Sequence, residues 1–358
     1  MSRLKLLACL LVFMPIFQDE ARASYSEPLF RGAEAQAMGG AFTATTDDDL
    51  SLFYNPAGLA GAKKLKFRFV NVTVEASDDL IKSSSVIMPM LSGGLNSNSI
   101  NSLIGKNDYI RIQDVSTFSF QGFALAAIGD AQAAVRLLNP YNPTGTIGLQ
   151  TTYGAQLGYG TTLAKFAKNR GEIRFGVAGK YLQRAGGFQQ PSITDLLTLN
   201  TANIIGDYKT YGTGIGIDSG TQVIYNFNKK FSVLGGIAVT DIGNTTFSNS
   251  SPSQLSSFNA GLGAKYKSHD VLATFAFDYQ RVLDSIDWQK KIHLGMQLKF
   301  PLLTLYGGFS ECYPSFGVGL DLGIVQVLYT SYTGQLASLV SIDPEHRNMI
   351  NVRAEFNF

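Results

Sequence analysis

The sequence predicts an all-β protein: a transmembrane antiparallel β-barrel of about 14 strands, with an N-terminal helical hatch in its lumen. Three observations carry that prediction. The chain is short of charge, its segments alternate apolar and polar residues with a period of two, and the connectors between those segments alternate between long and tight.

The shortage of charge comes first because it limits the classes. Of 358 residues 16% are charged and 45% hydrophobic, with 24 Phe, 16 Tyr and 37 Gly, whereas a soluble globular domain is about one quarter charged. At the N-terminus, Arg3 and Lys5 precede an apolar run over 6–17 and then Ala21-Arg22-Ala23. Residues 1–23 therefore read as a secretory signal peptide. No window after it offers the ~18 continuous apolar residues that a spanning helix needs, so strands must do the crossing. A formal net charge of +2 gives no electrostatic case for a nucleic-acid partner. Cys9 leaves with the signal and Cys312 stands alone, so no disulfide is expected.

Alternation assigns the faces. In the last segment Ile350, Val352, Ala354, Phe356 and Phe358 share one parity, and Asn351, Arg353, Glu355 and Asn357 the other. Ile292, Leu294, Met296, Leu298 and Phe300 alternate in the same way with Lys291, His293, Gly295, Gln297 and Lys299. Phe258, Ala260, Leu262, Ala264 and Tyr266 repeat the pattern, as do Ile173, Phe175, Val177 and Tyr181. A soluble barrel would bury the apolar parity, so alternation alone does not fix which face meets lipid. The export signal and the connectors decide it. Strands are predicted at about 64–75, 116–128, 130–139, 150–161, 171–184, 210–226, 230–241, 256–267, 270–281, 290–300, 301–310, 314–323, 324–333 and 347–358. The odd-numbered connectors, such as 76–115, 140–149, 185–209 and 242–255, are long, while Asn228-Lys229-Lys230, Ser268-His269 and Pro301 make tight turns. Outer-membrane barrels have long outer loops and short periplasmic turns. Both termini are therefore expected in the periplasm.

Before the first strand, residues 24–63 show no lipid-facing alternation, and the barrel proper is assigned to 64–358. Such a segment either hangs free or folds into the lumen. The inward parity is rich in glycine, with Gly154, Gly158 and Gly160, Gly212, Gly214 and Gly216, Gly261 and Gly263, and Gly317 and Gly319. Glycine in a strand marks a bend or a close approach of another backbone, so these residues serve either curvature or a plug. On the plug reading, a short helix over 33–44 packs through Ala37, Met38, Gly39 and Gly40, and the segment begins on the periplasmic side.

The small-residue stretch over 31–40 with Arg31, Gly39 and Gly40, the run Asp47-Asp48-Asp49 before an apolar step, and Asn55-Pro56-Ala57-Gly58-Leu59-Ala60 resemble the FadL-like outer-membrane barrels. That family includes long-chain fatty-acid transporters, toluene-type hydrocarbon channels, and PorV-like and TraF-like relatives. The resemblance implies a hatch inside a barrel of the same even strand count, closed by Asn55, Pro56 and Ala57. Residues 176–184 (GVAGKYLQR) look more like the PorV-like and TraF-like branch. The C-terminal Ala354, Phe356 and Phe358 resemble the signal read by the barrel-assembly machinery.

Catalytic chemistry finds no support. His269, His293 and His346 lack metal-motif spacing, and Ser268-His269-Asp270 is contiguous, whereas a triad assembles from positions distant in sequence. Asp47, Asp48 and Asp49 lack the alternate-ligand pattern of a calcium loop and read as capping or solvating the plug. No cofactor and no metal are expected. Two connectors carry more apolar residues than exposed loops should: Val86, Ile87, Met88, Met90 and Leu91, and then Leu196, Leu197 and Leu199. Exposed apolar patches mark interaction sites, so these are candidates for capturing a hydrophobic small molecule or docking a partner protein. An inward parity of polar residues and glycine offers no continuous apolar tunnel beneath them. The expected function is passage of lipid-like or hydrocarbon-like molecules across the outer membrane. The alternative is a PorV-like structural or secretion-system partner barrel without transport. Beyond these, the partners are membrane lipid and the barrel-assembly machinery.

Overall fold

The computed structural model describes residues 28–84, 104–138, 144–189, 210–335 and 344–358. Fourteen antiparallel strands close on themselves, each paired with its sequence neighbours and β1 with β14. They are β1 Lys66–Ser77, β2 Asn107–Phe120, β3 Phe123–Leu138, β4 Thr144–Phe166, β5 Gly171–Gln189, β6 Gly212–Asn226 and β7 Phe231–Thr240. The circuit continues through β8 Ser257–Lys267, β9 Leu272–Tyr279, β10 Ile292–Lys299, β11 Leu303–Ser310, β12 Tyr313–Asp321, β13 Val325–Gln335 and β14 Pro344–Asn357.

Which face is which follows from burial. Outward Phe67, Ile112, Leu157, Ile215, Leu262, Phe316 and Val352 are exposed, while inward Arg68, Glu75, Gln113, Asp218, Gln222 and Thr330 are buried. A closed sheet that exposes its apolar parity and buries its charges is stable only with hydrocarbon around it. The tight turns 121–122, 167–170, 227–230, 268–271, 300–302 and 322–324 gather at one end, where β1 begins and β14 finishes.

Several elements depart from expectation. Instead of strands at 116–128 and 130–139 with a turn near Gly129, β2 and β3 meet at Gln121-Gly122, with φ of 48° and 88°. Positive φ at both central residues is what a two-residue hairpin requires; Gly129 lies within β3, opposite Asp114. β4 begins at Thr144, which removes most of the long connector expected at 140–149. The helix expected over 33–44 is only α1, Ala33–Ala37, because Gly39 and Gly40 take φ of 62° and 82° and end it.

Ala354 has the outward parity assigned to it but is nearly covered, at 9% exposure. The cause is a bulge in β1: pairing with β14 slips between Arg68 and Val70, and the ring of Phe69 stacks on Phe356. Toward β2 the same bulge leaves a longer break. Arg68 pairs with Thr117 and Val72 with Asp114, with nothing paired between. Side chains satisfy the freed backbone: Asn71 N donates to Asp114 Oδ1 at 3.1 Å, and Ser116 Oγ donates to the Phe69 carbonyl at 3.1 Å.

Candidate functional site

Residues 29–61 fill the lumen. Their small side chains, Ala33, Ala35, Ala37, Ala41, Ala44 and Ala57, are buried and let the hatch backbone lie directly on the wall. The wall answers with glycine on every strand from β4 to β8 and from β10 to β12 except where noted below. A Cβ on Gly176 would stand 2.2 Å from the Pro56 carbonyl, on Gly160 2.7 Å from Ala60 N, and on Gly220 2.0 Å from Asn55 Oδ1. Likewise a Cβ on Gly236 would meet the Thr43 carbonyl at 2.7 Å, on Gly295 the Met38 carbonyl at 2.6 Å, and on Gly308 the Gly39 nitrogen at 2.1 Å. No side chain fits those gaps, so these glycines serve the plug. The exceptions are Gly319, whose nearest neighbour would be an ordinary 3.6 Å away, Gly154, where a Cβ would meet Tyr181 and Leu182 of β5, and Gly212, Gly214 and Gly216, which face Asn249, Thr246 and Thr245. The β7–β8 connector, read as an outer loop, thus folds into the lumen. Its Phe247 is buried under the Arg184 guanidinium, 4.5 Å from the ring centroid, and its Pro252 carbonyl accepts from Arg184 at 2.7 Å.

Polar side chains from the wall satisfy the hatch backbone, which has no sheet partner of its own. Asp278 accepts from Phe42 N and Thr43 N, both at 2.8 Å. Gln222 donates to the Thr46 carbonyl at 2.8 Å and Gln156 to the Leu52 carbonyl at 2.9 Å. His293 Nδ1 lies 2.7 Å from the Gly39 carbonyl, joining β10 to the hatch. Asn55 joins hatch to hatch and hatch to wall. Its side chain caps the 3-10 segment Pro56–Gly61 by accepting from Ala57 N at 3.1 Å, and donates to the Thr43 and Thr221 carbonyls at 2.9 and 3.3 Å.

Charges pin the two ends of the hatch. Arg31 reaches Glu75 at 2.8 Å and accepts company from Tyr332, whose hydroxyl takes a second Arg31 hydrogen bond at 2.8 Å. Arg347 bonds the same Glu75 at 2.9 Å. Near the tight-turn end Lys66 and Arg68 meet Asp49 at 3.0 and 3.2 Å, and both also reach Glu355. Between them Arg353 pairs with Glu34 at 2.6 Å. The aspartates thus part ways. Asp49 is buried in an ion cluster rather than solvating the plug, Asp48 accepts from Leu50 N at 3.0 Å as a local cap, and Asp47 meets Lys265 at 2.5 Å. Burial alone would raise the Glu34 carboxyl, but the Arg353 guanidinium outweighs it and holds the group at about 2.

The first described residues of the segment do not lie at the tight-turn end, and residues 24–27, where the sequence expects the segment to begin, lie outside the described residues. The Pro28 and Leu29 carbonyls accept from Arg111 at 3.0 Å, and Arg111 stands opposite Glu75, toward the far end of β1. The described chain therefore descends from there through α1 and α2, Ser51–Tyr54, to Pro56–Gly61 before β1.

One side of the lumen is apolar, which the parity reading missed. Inward Val115, Ala124, Ala126, Ile128, Ala178 and Leu182 of β2, β3 and β5 pack against Leu29, Phe30, Leu50, Leu52 and Leu59 of the hatch, with Phe247 in the same cluster. Val115 and Ser116 are the β2 residues left unpaired by the break in the β1–β2 ladder, so this seam runs beside the thinnest hydrogen bonding in the wall. The seam is closed as it stands; the cavity beside it, near Phe30, Leu50 and Tyr54, holds about 10 Å³, the room of a single water.

The apolar loop candidates Val86, Ile87, Met88, Met90 and Leu91, and Leu196, Leu197 and Leu199, lie outside the described residues. Among the described residues no cluster of His, Cys, Asp and Glu is arranged to hold a metal. His269 sits on its exposed turn with Asp270 at 2.7 Å.

No model of a known family and no curated protein matches the chain. Among solved structures, several channels and transporters are similar over most of the chain. The toluene transporter TodX of Pseudomonas putida is 12% identical, with 93% of this chain and 99% of that chain covered and a TM-score of 0.47. The toluene transporter TbuX of Ralstonia pickettii is 10% identical over 92% of this chain and 98% of that one, also at 0.47. The monoaromatic hydrocarbon channel CymD is 11% identical over 91% and 97%, at 0.45.

Proposed function

We propose that the barrel passes small apolar molecules through the outer membrane along the seam between hatch and wall, with the tight-turn end, where β14 finishes, in the periplasm. The observation that carries this reading is the seam itself. Among the described residues the largest apolar cluster between hatch and wall lies in a lumen otherwise rich in Arg, Asp, Gln and Gly, and it borders the unpaired stretch 69–71 of β1. Apolar side chains in a polar lumen give an apolar solute somewhere to go, and a small shift of Leu52 and Leu59 away from Ile128 and Leu182 opens it. Membrane proteins tolerate irregular backbone at bilayer depth only where it is covered or lines a cavity, which fits a break beside such a path.

The test places a charge in the strip. Ile128→Asp and Leu182→Lys should leave barrel assembly intact, judged by heat-modifiable migration, and lower uptake of labelled toluene and labelled oleate by cells carrying the protein. Uptake by wild type no faster than by cells without the barrel would refute passage.

A second reading, a static barrel that serves a secretion or structural partner, draws on one observation: the closed seam with its 10 Å³ cavity. It predicts a stoichiometric protein partner in mild detergent, and no uptake change from either variant.

A further inference from the structure

The register across β2 to β6 sorts the inward side chains into rows. Val115 stands opposite Ile128, Ile128 opposite Gly154, Gly154 opposite Leu182 and Leu182 opposite Gly214. This row is apolar or glycine throughout. The next row toward the loop end, opposite the tight turns, is Gln113, Asp130, Thr152, Arg184 and Gly212, and it is mostly polar. A solute arriving from the loop end therefore passes polar side chains and meets the seam at the level of Leu182.

The two glycines leave gaps in the apolar row. Leu182 takes the first, since its Cδ2 would lie 3.0 Å from a Cβ on Gly154. The second gap is filled from elsewhere. A Cβ on Gly214 would stand 2.9 Å from Cε1 of Phe247, whose buried side chain belongs to the cluster of Val115, Ile128, Leu182 and Phe30. Among the described members of that cluster Phe247 alone comes from a connector between strands; wall and hatch supply the rest.

The backbone on either side of the ring is fixed. Thr245 and Gln254 exchange two backbone hydrogen bonds, at 2.8 and 2.9 Å, and Ser248 N donates to the Thr213 carbonyl at 3.0 Å while its hydroxyl accepts from Thr213 N at 2.9 Å. The Arg184 guanidinium over the ring is itself tied at two nitrogens, Nε donating to Thr152 Oγ1 at 2.9 Å and Nη1 to the Pro252 carbonyl at 2.7 Å. The connector need not swing for its ring to matter. A side chain fixed at the edge of an apolar strip sets how much room a solute finds there.

We propose that Phe247 sets the upper size of the apolar solute admitted to the seam from the loop end, an inference that rests on passage along that seam. Selection by the bulk of an apolar pocket is large enough to measure, since one methylene more or less shifts it by about 10- to 200-fold. Trimming the ring to a methyl group should admit wider solutes, and enlarging it to an indole should exclude them. Opposite signs mark size selection, because loss of a merely structural contact would move both variants the same way.

Two readouts on the full chain test this, with assembly of each variant checked by heat-modifiable migration. In cells, Phe247→Ala should raise the ratio of labelled naphthalene uptake to labelled toluene uptake by roughly tenfold, and Phe247→Trp should lower it. In mild detergent, with Cys312→Ser and Leu182→Cys as background, Phe247→Ala should raise the rate of labelling by N-(1-pyrenyl)maleimide relative to N-ethylmaleimide by a similar factor. A wild type that takes up no toluene, with the labelling ratio still rising in Phe247→Ala, would refute passage and leave Phe247 as the residue that limits access to the seam. A labelling ratio unchanged by Phe247→Ala, or uptake ratios that move the same way in Phe247→Ala and Phe247→Trp, would overturn the proposal.

Discussion

Single glycines decide whether the lumen can be plugged. At Gly176 the Pro56 carbonyl occupies the place of a Cβ, 2.2 Å away, whereas Gly319 has room. Both belong to the inward parity, and nothing in the sequence distinguishes them. Overpacking a close contact costs about 1 to 3 kcal/mol, and this cost falls on seating of the hatch. Gly176→Ala should therefore raise the rate of proteolysis within residues 31–61 by about tenfold or more, while Gly319→Ala should match wild type. Similar protection in the two variants would mean that the wall glycines do not serve the hatch. Asn55 works at the same scale: its one side chain satisfies three backbone groups of two segments, so the resemblance that singled it out coincides with a hydrogen-bonding reason.

At the scale of elements, the hatch is held by ion pairs whose pH dependence has a definite sign. Glu34 is depressed to about 2 by Arg353, so its contribution is complete above the unfolded value of about 4.3 and is lost as pH falls toward 2. Hydrogen exchange of residues 33–38 should stay slow from pH 7 to 5 and, after correction for intrinsic rates, quicken on going to pH 3. An Arg353→Met variant should show that quick exchange already at pH 7; exchange independent of pH in wild type would count against the pair as a strap. The strands make a separate prediction. A charge on the lipid face costs about 2 to 4 kcal/mol at the midplane, so Val352→Arg should lower the assembled fraction sharply and Val352→Ala should not. Strands with strict alternation, β8, β10 and β14, were legible for this reason: the residues that meet lipid must be apolar at every second position. β2 and β3 were not, because Asp114 and Gly129 sit on the outward parity beside the ladder break and imitate a turn. The apolar seam was hidden too. Val115 and Ile128 occupy inward positions that only the true register of β2 and β3 separates from the lipid-facing residues on either side, while Leu182 of β5 is a single apolar residue on a parity otherwise read as polar or glycine. The inward fold of the 241–256 connector had one trace in sequence, the glycines 212, 214 and 216, which were read as room for the hatch.

For the whole molecule, the parts combine into a barrel whose described lumen is filled by the hatch over 29–61 and by the β7–β8 connector, with the largest apolar seam between hatch and wall as the proposed line of passage. On the proposed reading the seated plug keeps steady ion flow low, and an apolar solute parts the seam while Asn55, Asp278 and the ion pairs stay in place. The measurement that bears on this most directly is planar-bilayer recording of the intact protein beside a variant lacking residues 24–61. The intact protein should show little steady conductance, and the deletion a large and stable one. A large stable conductance from the intact protein would contradict the hatch as the closure of this barrel.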